Sequence, residues 1–221
     1  MERSDLALVI PAFNEAASIH QVVVKALHYG QPIVVNDASR DDTGNIAQAA
    51  GAVVVTHPKN LGYDGALNSG FRRAAELGYR YVITLDADGQ HRPELITQFS
   101  RRLAAGTPLV LGVRDRKQRF SEHLFAAVTK LLYGVRDPLC GMKGYQMELY
   151  QRLGHFDSFG SIGTELALFA IKNQYRFEQI DVPTLDRVGA PRFARLLRAN
   201  YLITRAMVCS LFKIRRAPPL K

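Results

Sequence analysis

Short runs of apolar, often β-branched residues recur along the first half of the chain, separated by stretches in which apolar positions return at helical spacing. Residues 6–10, 33–35, 53–55 and 81–85 read as buried strands, and 109–113 as a fifth. Helices are predicted over 15–28, 42–50, 64–77 and 93–105, then over 121–133 and 164–174, with a Gly-rich turn at 141–144. Strand and helix alternating at this interval predict an α/β fold, a mostly parallel central sheet flanked by helices. No internal repeat and no linker divides it, so one domain is expected over 1–190, followed by a tail over 191–221.

The tail has its own pattern. From 191 to 212 the periodicity is helical, with Phe193, Leu196, Leu197, Tyr201, Met207, Val208 and Leu211 on one side and Arg192, Arg195, Arg198, Arg205 and Lys213 largely opposite. A basic amphipathic helix of this kind suits a membrane interface, with its cations at headgroup level. A helix packed on the core with a solvated charged face has the same pattern.

Charge sharpens that picture. The chain has 221 residues and a formal net charge of +9, from 29 basic and 20 acidic residues. All 20 acidic residues lie before residue 187, where 20 basic residues balance them, so the whole excess falls on residues 187–221. A local anionic partner such as a membrane surface or a phosphate follows from this, rather than a protein coated in positive charge. The tail offers few aromatics that could stack on bases, so nucleic acid is not expected as a partner. Hydrophobic residues at 47% and charged residues at 22% exclude disorder. No run of about 18 apolar residues exists, and Glu2, Arg3 and Asp5 precede a short apolar run unlike a secretory signal, so a cytosolic protein is expected. Cys140 and Cys209 are too far apart for a metal-spaced pair and read as small hydrophobes.

Ligands of α/β sheets bind beyond the carboxyl ends of the strands. Three of those ends carry carboxylates here: Glu15 after the first strand, Asp37 after the second, and Asp86 with Asp88 after the fourth. Two like charges one residue apart at the end of an apolar strand need an offset, and a hard divalent cation, Mg²⁺ or Mn²⁺, is the simplest. Such an ion keeps positions for substrate phosphates, so a diphosphate ligand is the natural partner. The alternative is a strand cap at Asp86 and an ordinary turn at Asp88-Gly89. Asp37 can accept hydrogen bonds from the imino or amino edge of a nucleobase, or cap the helix that follows. His57, His91 and His123 lack a second histidine at helical spacing; His91 is expected beside the metal at most, the others on the surface or in loops.

These residues carry a resemblance. V-I-P-A-F-N-E at 9–15, V-N-D-A-S-R-D-D-T at 35–43, N-L-G at 60–62 and L-D-A-D-G-Q-H-R-P at 85–93 are similar to the motifs of family 2 glycosyltransferases with the GT-A fold. Within that family they resemble dolichyl-phosphate mannose synthases and bacterial polyprenyl-phosphate glycosyltransferases, over residues 5 to about 192. The resemblance implies that Pro11, Phe13, Glu15, Val35 and Asp37 contact the nucleotide, and that Asp86 and Ala87 lie near the ribose and diphosphate. It implies a metal site of Asp86, Asp88 and Gln90, and an arginine near the sugar diphosphate at Arg114. The segment from Asp137 to Lys143 resembles the family's D-x-x-S-G-F-R, with Cys140 for Ser and Lys143 for Arg. Arg187 and Arg192, in R-V-G-A-P-R, stand as a phosphate clamp.

The implied activity is inverting, metal-dependent sugar transfer from a GDP- or UDP-sugar to polyprenyl phosphate at the cytosolic face of a membrane. Asp88, Arg114 and Lys143 would offset the charge that develops on the leaving diphosphate. A lipid phosphate is already ionised at neutral pH and needs no general base. An acceptor hydroxyl would need one, and Glu165 stands where relatives acting on hydroxyls keep a carboxylate. A non-catalytic nucleotide- or membrane-binding module is the more distant alternative.

Overall fold

The computed structural model describes residues 5–89, 94–183 and 196–214. Its centre is a seven-stranded sheet. The strands are β1 (Leu6–Ala12), β2 (Gln31–Asn36), β3 (Val53–Thr56), β4 (Tyr81–Thr84), β5 (Leu109–Arg114), β6 (Lys143–Gln146) and β7 (Phe177–Val182), in the spatial order β3-β2-β1-β4-β6-β5-β7. All neighbours pair in parallel except β6, which runs antiparallel to both β4 and β5. The mostly parallel sheet expected from the alternation is therefore a mixed one.

Around it lie α1 (Ile19–Ala26), α2 (Thr43–Ala49), α3 (Gly62–Glu76), α4 (Leu95–Ala104), α5 (Phe120–Tyr133), α6 (Met147–Leu153), α7 (Glu165–Lys172) and α8 (Leu196–Phe212). Alternation along β1 sets the layers: Leu6, Leu8 and Ile10 enter one apolar cluster, with α1 and α4, while Ala7 and Val9 enter the other, with α3, α5 and α7. Both faces are buried, which is why the strands read as continuous apolar runs rather than alternating ones. On the second face α3 lies so close to β1 that a Cβ on Gly70 would strike Val9.

Two expectations need correction. The turn placed at 141–144 is in fact the lead into β6, whose Lys143 pairs with Thr84. Its G-M-K-G-Y composition lacks β-branched residues, and Gly144 is there because Phe99 and Leu103 of α4 pack against its backbone. The edge strand β7 carries no sequence signal, since only Ile180 and Val182 are buried along it.

The second concerns α8, whose apolar residues are divided between two faces. Ala199, Ile203, Ala206 and Met207 are buried, and Ile203 and Met207 join the same cluster as Phe125 of α5. Leu197, Tyr201, Val208 and Phe212 point to solvent. The helix is therefore seated on the core and still presents an apolar stripe outward. Asn200 Oδ1 accepts from Ser121 Oγ at 2.6 Å and fixes α8 to the start of α5. Among the described residues, no helix is long and apolar enough to cross a membrane.

Candidate active site

A cavity of about 530 Å³ opens at the carboxyl ends of β1, β2 and β4, within the size range of small-molecule sites. Pro11, Phe13, Glu15, Asp37, Asp86, Ala87, Asp88 and Arg114 all line it. Parallel strands of matched register deliver them together: Pro11 is level with Val35 and Ala12 with Asn36, so the residues that follow each strand emerge at one end.

Asp37 is buried and its carboxylate is fully organised. Oδ1 accepts the N–H of Leu61 at 2.8 Å and Oδ2 that of Gly62 at 2.8 Å, which ties the carboxylate to the first turn of α3. His57 Nδ1 lies 2.7 Å from Oδ1, and its Nε2 is 2.8 Å from Ser69 Oγ. His57 lies in the loop after β3 but is not a surface residue: it is buried beneath Asp37 and orients it. Asn60, in the N-L-G motif, donates to the Asp37 carbonyl at 3.1 Å and lines the cavity.

Asp86 and Asp88 follow β4, and Asp88 is buried. Gly141 packs so tightly against Asp86 that a Cβ there would overlap its carboxylate, which gives the glycine before β6 a steric reason. Two adjacent carboxylates facing one cavity form a hard oxygen donor set that fits Mg²⁺ or Mn²⁺ together with ligand oxygens. Beside them Tyr63 keeps its hydroxyl protonated, because burial and the charges of Asp86 and Asp64 all oppose ionisation.

The cationic side of the cavity is built from Arg114 and Arg119. Arg114 makes a bidentate fork to Asp137, Nε to Oδ2 at 2.8 Å and Nη2 to Oδ1 at 3.0 Å. Burial works against the Arg114 charge, yet the Asp137 fork and Glu122 outweigh it and hold the guanidinium above its ordinary range. Asp137 is the mirror case: burial raises its pKa, and the Arg114 fork overcomes this and holds it below the usual carboxylate range. Buried Glu122 bridges the two cations, 3.2 Å from Arg114 and 2.8 Å from Arg119. Arg119, Gln118 and Glu122 were not anticipated; the only signal was an Arg and a Glu three residues apart at the start of a helix.

Three expected residues lie elsewhere. Val35 is fully buried inside β2, its side chain against Gly70 of α3, and does not line the cavity. Lys143 is buried and its Nζ donates to the Gly163 carbonyl at 2.7 Å, so it meets backbone rather than the cavity. Glu165 is buried too, its carboxylate accepting from Ser158 N at 2.6 Å, from Ser158 Oγ at 2.9 Å and facing His155 Nε2 at 3.0 Å. It too is absent from the cavity lining. Gln90, Arg187 and Arg192 lie outside the described residues. Cys140, in the motif's Ser position, is a buried thiol that burial pushes up to about 12, and it is inert.

The model of glycosyl transferase family 2 matches residues 7–178, the stretch that carries every one of these cavity-lining strand ends. The chain belongs to this family. Polyprenol monophosphomannose synthase of Mycolicibacterium smegmatis is 26% identical over 208 residues, covering 81% of this chain and 77% of that protein. An undecaprenyl-phosphate 4-deoxy-4-formamido-L-arabinose transferase of Shewanella sediminis is 28% identical over 169 residues, and the match takes in 67% of this chain but half of that one. Among solved structures, glucosyl-3-phosphoglycerate synthase from Mycobacterium tuberculosis, in complex with Mn²⁺, UDP and glucosyl-3-phosphoglycerate, superimposes with a TM-score of 0.76. At 22% identity, over 97% of this chain and 81% of that one, the likeness establishes a shared GT-A-like fold. Within the family's architecture the Asp86–Asp88 pair stands at the end of the fourth strand and the Arg114–Glu122–Arg119 cluster beside it.

Proposed function

We propose that this family 2 glycosyltransferase moves a sugar from a GDP- or UDP-sugar to polyprenyl phosphate at the cytosolic face of a membrane, with inversion at the anomeric carbon. The observation that carries the reading is one cavity in which a pair of adjacent carboxylates, Asp86 and Asp88, shares its walls with two arginines. Asp37, Asn60 and Phe13 would receive the nucleoside, and Asp86 with Asp88 would hold Mg²⁺ or Mn²⁺. When bound, that ion neutralises charge on the departing diphosphate. Arg114 and Arg119 supply fixed positive charge to phosphate oxygens, and the Asp137 fork holds Arg114 in one orientation at no cost during reaction.

A phosphate acceptor is favoured over a hydroxyl by how the carboxylates are used. Glu165 is engaged by Ser158 and His155 outside the cavity, Asp37 is engaged by backbone N–H groups, and Glu122 lies between two arginines. None is poised as a general base, and an ionised phosphate needs none. The relatives named for polyprenol- and undecaprenyl-phosphate support the same acceptor class.

A lipid acceptor also requires a way to reach a membrane. Leu197 and Phe212 of α8 are 85% and 82% exposed, and Phe120 and Leu131 of α5 are 80% and 86% exposed. The two helices pack against each other on one core cluster. Arg198, Arg205 and Lys213 border the α8 stripe, and α8 contains no acidic residue. An apolar patch rimmed by cations matches an anionic lipid interface.

The test is a transfer assay with Mn²⁺, labelled GDP- and UDP-sugars in turn, and polyprenyl phosphate in detergent. A lipid-extractable product that is lost in Asp88→Ala supports the proposal. Donor hydrolysis without lipid product shifts the acceptor to a hydroxyl, and full transfer by Asp88→Ala overturns the metal role.

A further inference from the structure

Ile162 lines the cavity with a backbone φ of 56°. A branched Cβ reaches the left-handed region only where the surroundings over-determine it, and such residues gather at functional sites. Here the surroundings are identifiable. Asp64, in the first turn of α3, accepts the N–H of Ile162 on Oδ2 at 3.1 Å and that of Gly163 on Oδ1 at 2.6 Å. On the same segment, Lys143 of β6 donates to the Gly163 carbonyl at 2.7 Å. Neither side chain lines the cavity. Burial disfavours the charge on both, raising the Asp64 carboxyl to about 6 and lowering the Lys143 ammonium to about 8. Two charges kept where burial opposes them, both aimed at one strained segment, call for a reason beyond packing.

The segment also reaches the cavity from a different element than the residues assigned to the nucleotide. Residues fitted to the base and the diphosphate come from β1, β2, β4 and the start of α3, whereas Ile162 comes from the loop before α7. That loop is fastened to α8: Arg205 donates to the Phe159 carbonyl at 3.0 Å, and Thr164 Oγ1 lies 3.1 Å from Ser210 Oγ. Ile203 of α8 joins Ile162 in the cavity wall. The wall is thus continuous with the helix that carries the outward apolar stripe.

We propose that Asp64 and Lys143 are positioning residues for sugar transfer, holding Ile162 in its left-handed conformation and thereby setting the wall against which the acceptor is seated. This rests on the transferase reading above. The tether matters only while residue 162 resists its conformation; a glycine adopts the left-handed region without steric cost. Asp64 and Ile162 should therefore couple in a double-mutant cycle.

The experiment compares wild type, Asp64→Asn, Ile162→Gly and the double variant, measuring KM separately for donor and polyprenyl phosphate, together with deuterium uptake in peptides spanning 156–164. Asp64→Asn is expected to raise the acceptor KM about tenfold, leave the donor KM within about twofold, and speed exchange in 156–164. In the Ile162→Gly background the same change should cost less than about threefold. A residue that merely stabilised the fold would raise both KM values together and cost the same in both backgrounds. Either result, or unchanged exchange in 156–164, overturns the positioning role while leaving the transferase intact. Absence of transfer by the wild-type chain with every donor overturns the transferase reading, and this inference with it.

Discussion

Replacing Lys143 by methionine separates what this side chain costs from what it does. Its ammonium is buried, and burial lowers it from 10.5 to about 8. That displacement corresponds to about 3 kcal/mol by which folding disfavours the charged form. The sign follows from proton counting. Between pH 8 and 10.5 the unfolded chain keeps the Lys143 proton and the folded chain has lost it, so wild-type stability rises with pH across this window. Below pH 8 both states hold the proton and the full penalty stands. Methionine has a similar length and no such penalty, but it surrenders the charge-assisted bond to the Gly163 carbonyl, worth about 1.5–3 kcal/mol. At pH 7 the two effects nearly cancel, and the variant should lie within about 1–2 kcal/mol of wild type. Urea unfolding of both proteins at pH 7, 8.5 and 10 reads the difference, in which all other titrating groups drop out. The gap should move in favour of wild type by about 2–3 kcal/mol between pH 7 and 10. Parallel profiles would refute the reasoning, because Lys143 would then titrate alike in both states. Transfer should fall in the variant although stability at pH 7 does not, since Gly163 loses its tether.

Other perturbations follow from the same geometry. Asp137→Asn removes the fork on Arg114, leaving Glu122 as its ion-pair partner, and should cost about 3 kcal/mol in urea unfolding. Gly141→Ala drives a methyl into the Asp86 carboxylate, and calorimetry with UDP or GDP and Mn²⁺ should show affinity reduced at least about tenfold. The triple change Leu197→Ser, Tyr201→Ser and Phe212→Ser removes the outward stripe of α8; sedimentation with anionic vesicles should fall at least about tenfold, while each exposed site shifts stability by no more than about 0.5 kcal/mol. Asp64 titrates in the folded chain near 6 against 3.8 ordinarily, so the folded state holds a proton the unfolded state has released between those values. Stability from this group therefore falls as pH rises through that window, and Asp64→Asn, which lacks this loss, should gain stability relative to wild type as pH rises from about 4 to about 6 in urea unfolding.

What the sequence displayed and what it hid divide along a physical line. Buried parallel strands announce themselves as apolar runs, and residues immediately after them emerge together, so Asp37, Asp86, Asp88 and Arg114 were all legible as partners in one site. Strand β6 was hidden because its position is dictated by neighbours on both sides: tertiary pairing and the packing of α4 over Gly144 outweigh a composition poor in β-branched residues. Lys143, Glu165 and Val35 lie away from the cavity lining for a related reason. Motif position says where a residue lies along the chain, and not which way its side chain turns; Val35 turns to α3, Lys143 to Gly163 and Glu165 to Ser158. His57 and Asp64 could not be found from spacing at all, because each acts through a partner 20 or more residues away.

The α8 helix shows how one apolar pattern can be divided between a packed face and an exposed one. A helical wheel counts apolar residues without distinguishing those that bury from those that protrude. Here small Ala199 and Ala206 let the backbone approach the core, Ile203 reaches the cavity wall, and Tyr201 and Phe212 stay outside. Because one helix supplies both the outward stripe and part of the wall, the distance between stripe and cavity is set by packing and not by a linker. Asn200 on Ser121 and Arg205 on Phe159 fix that distance at two points. Under the proposed function, a membrane-borne acceptor would then be met at a constant depth, with Arg119, Ile162 and Ile203 in the wall that receives it. A tail that merely recruited the domain would need neither contact.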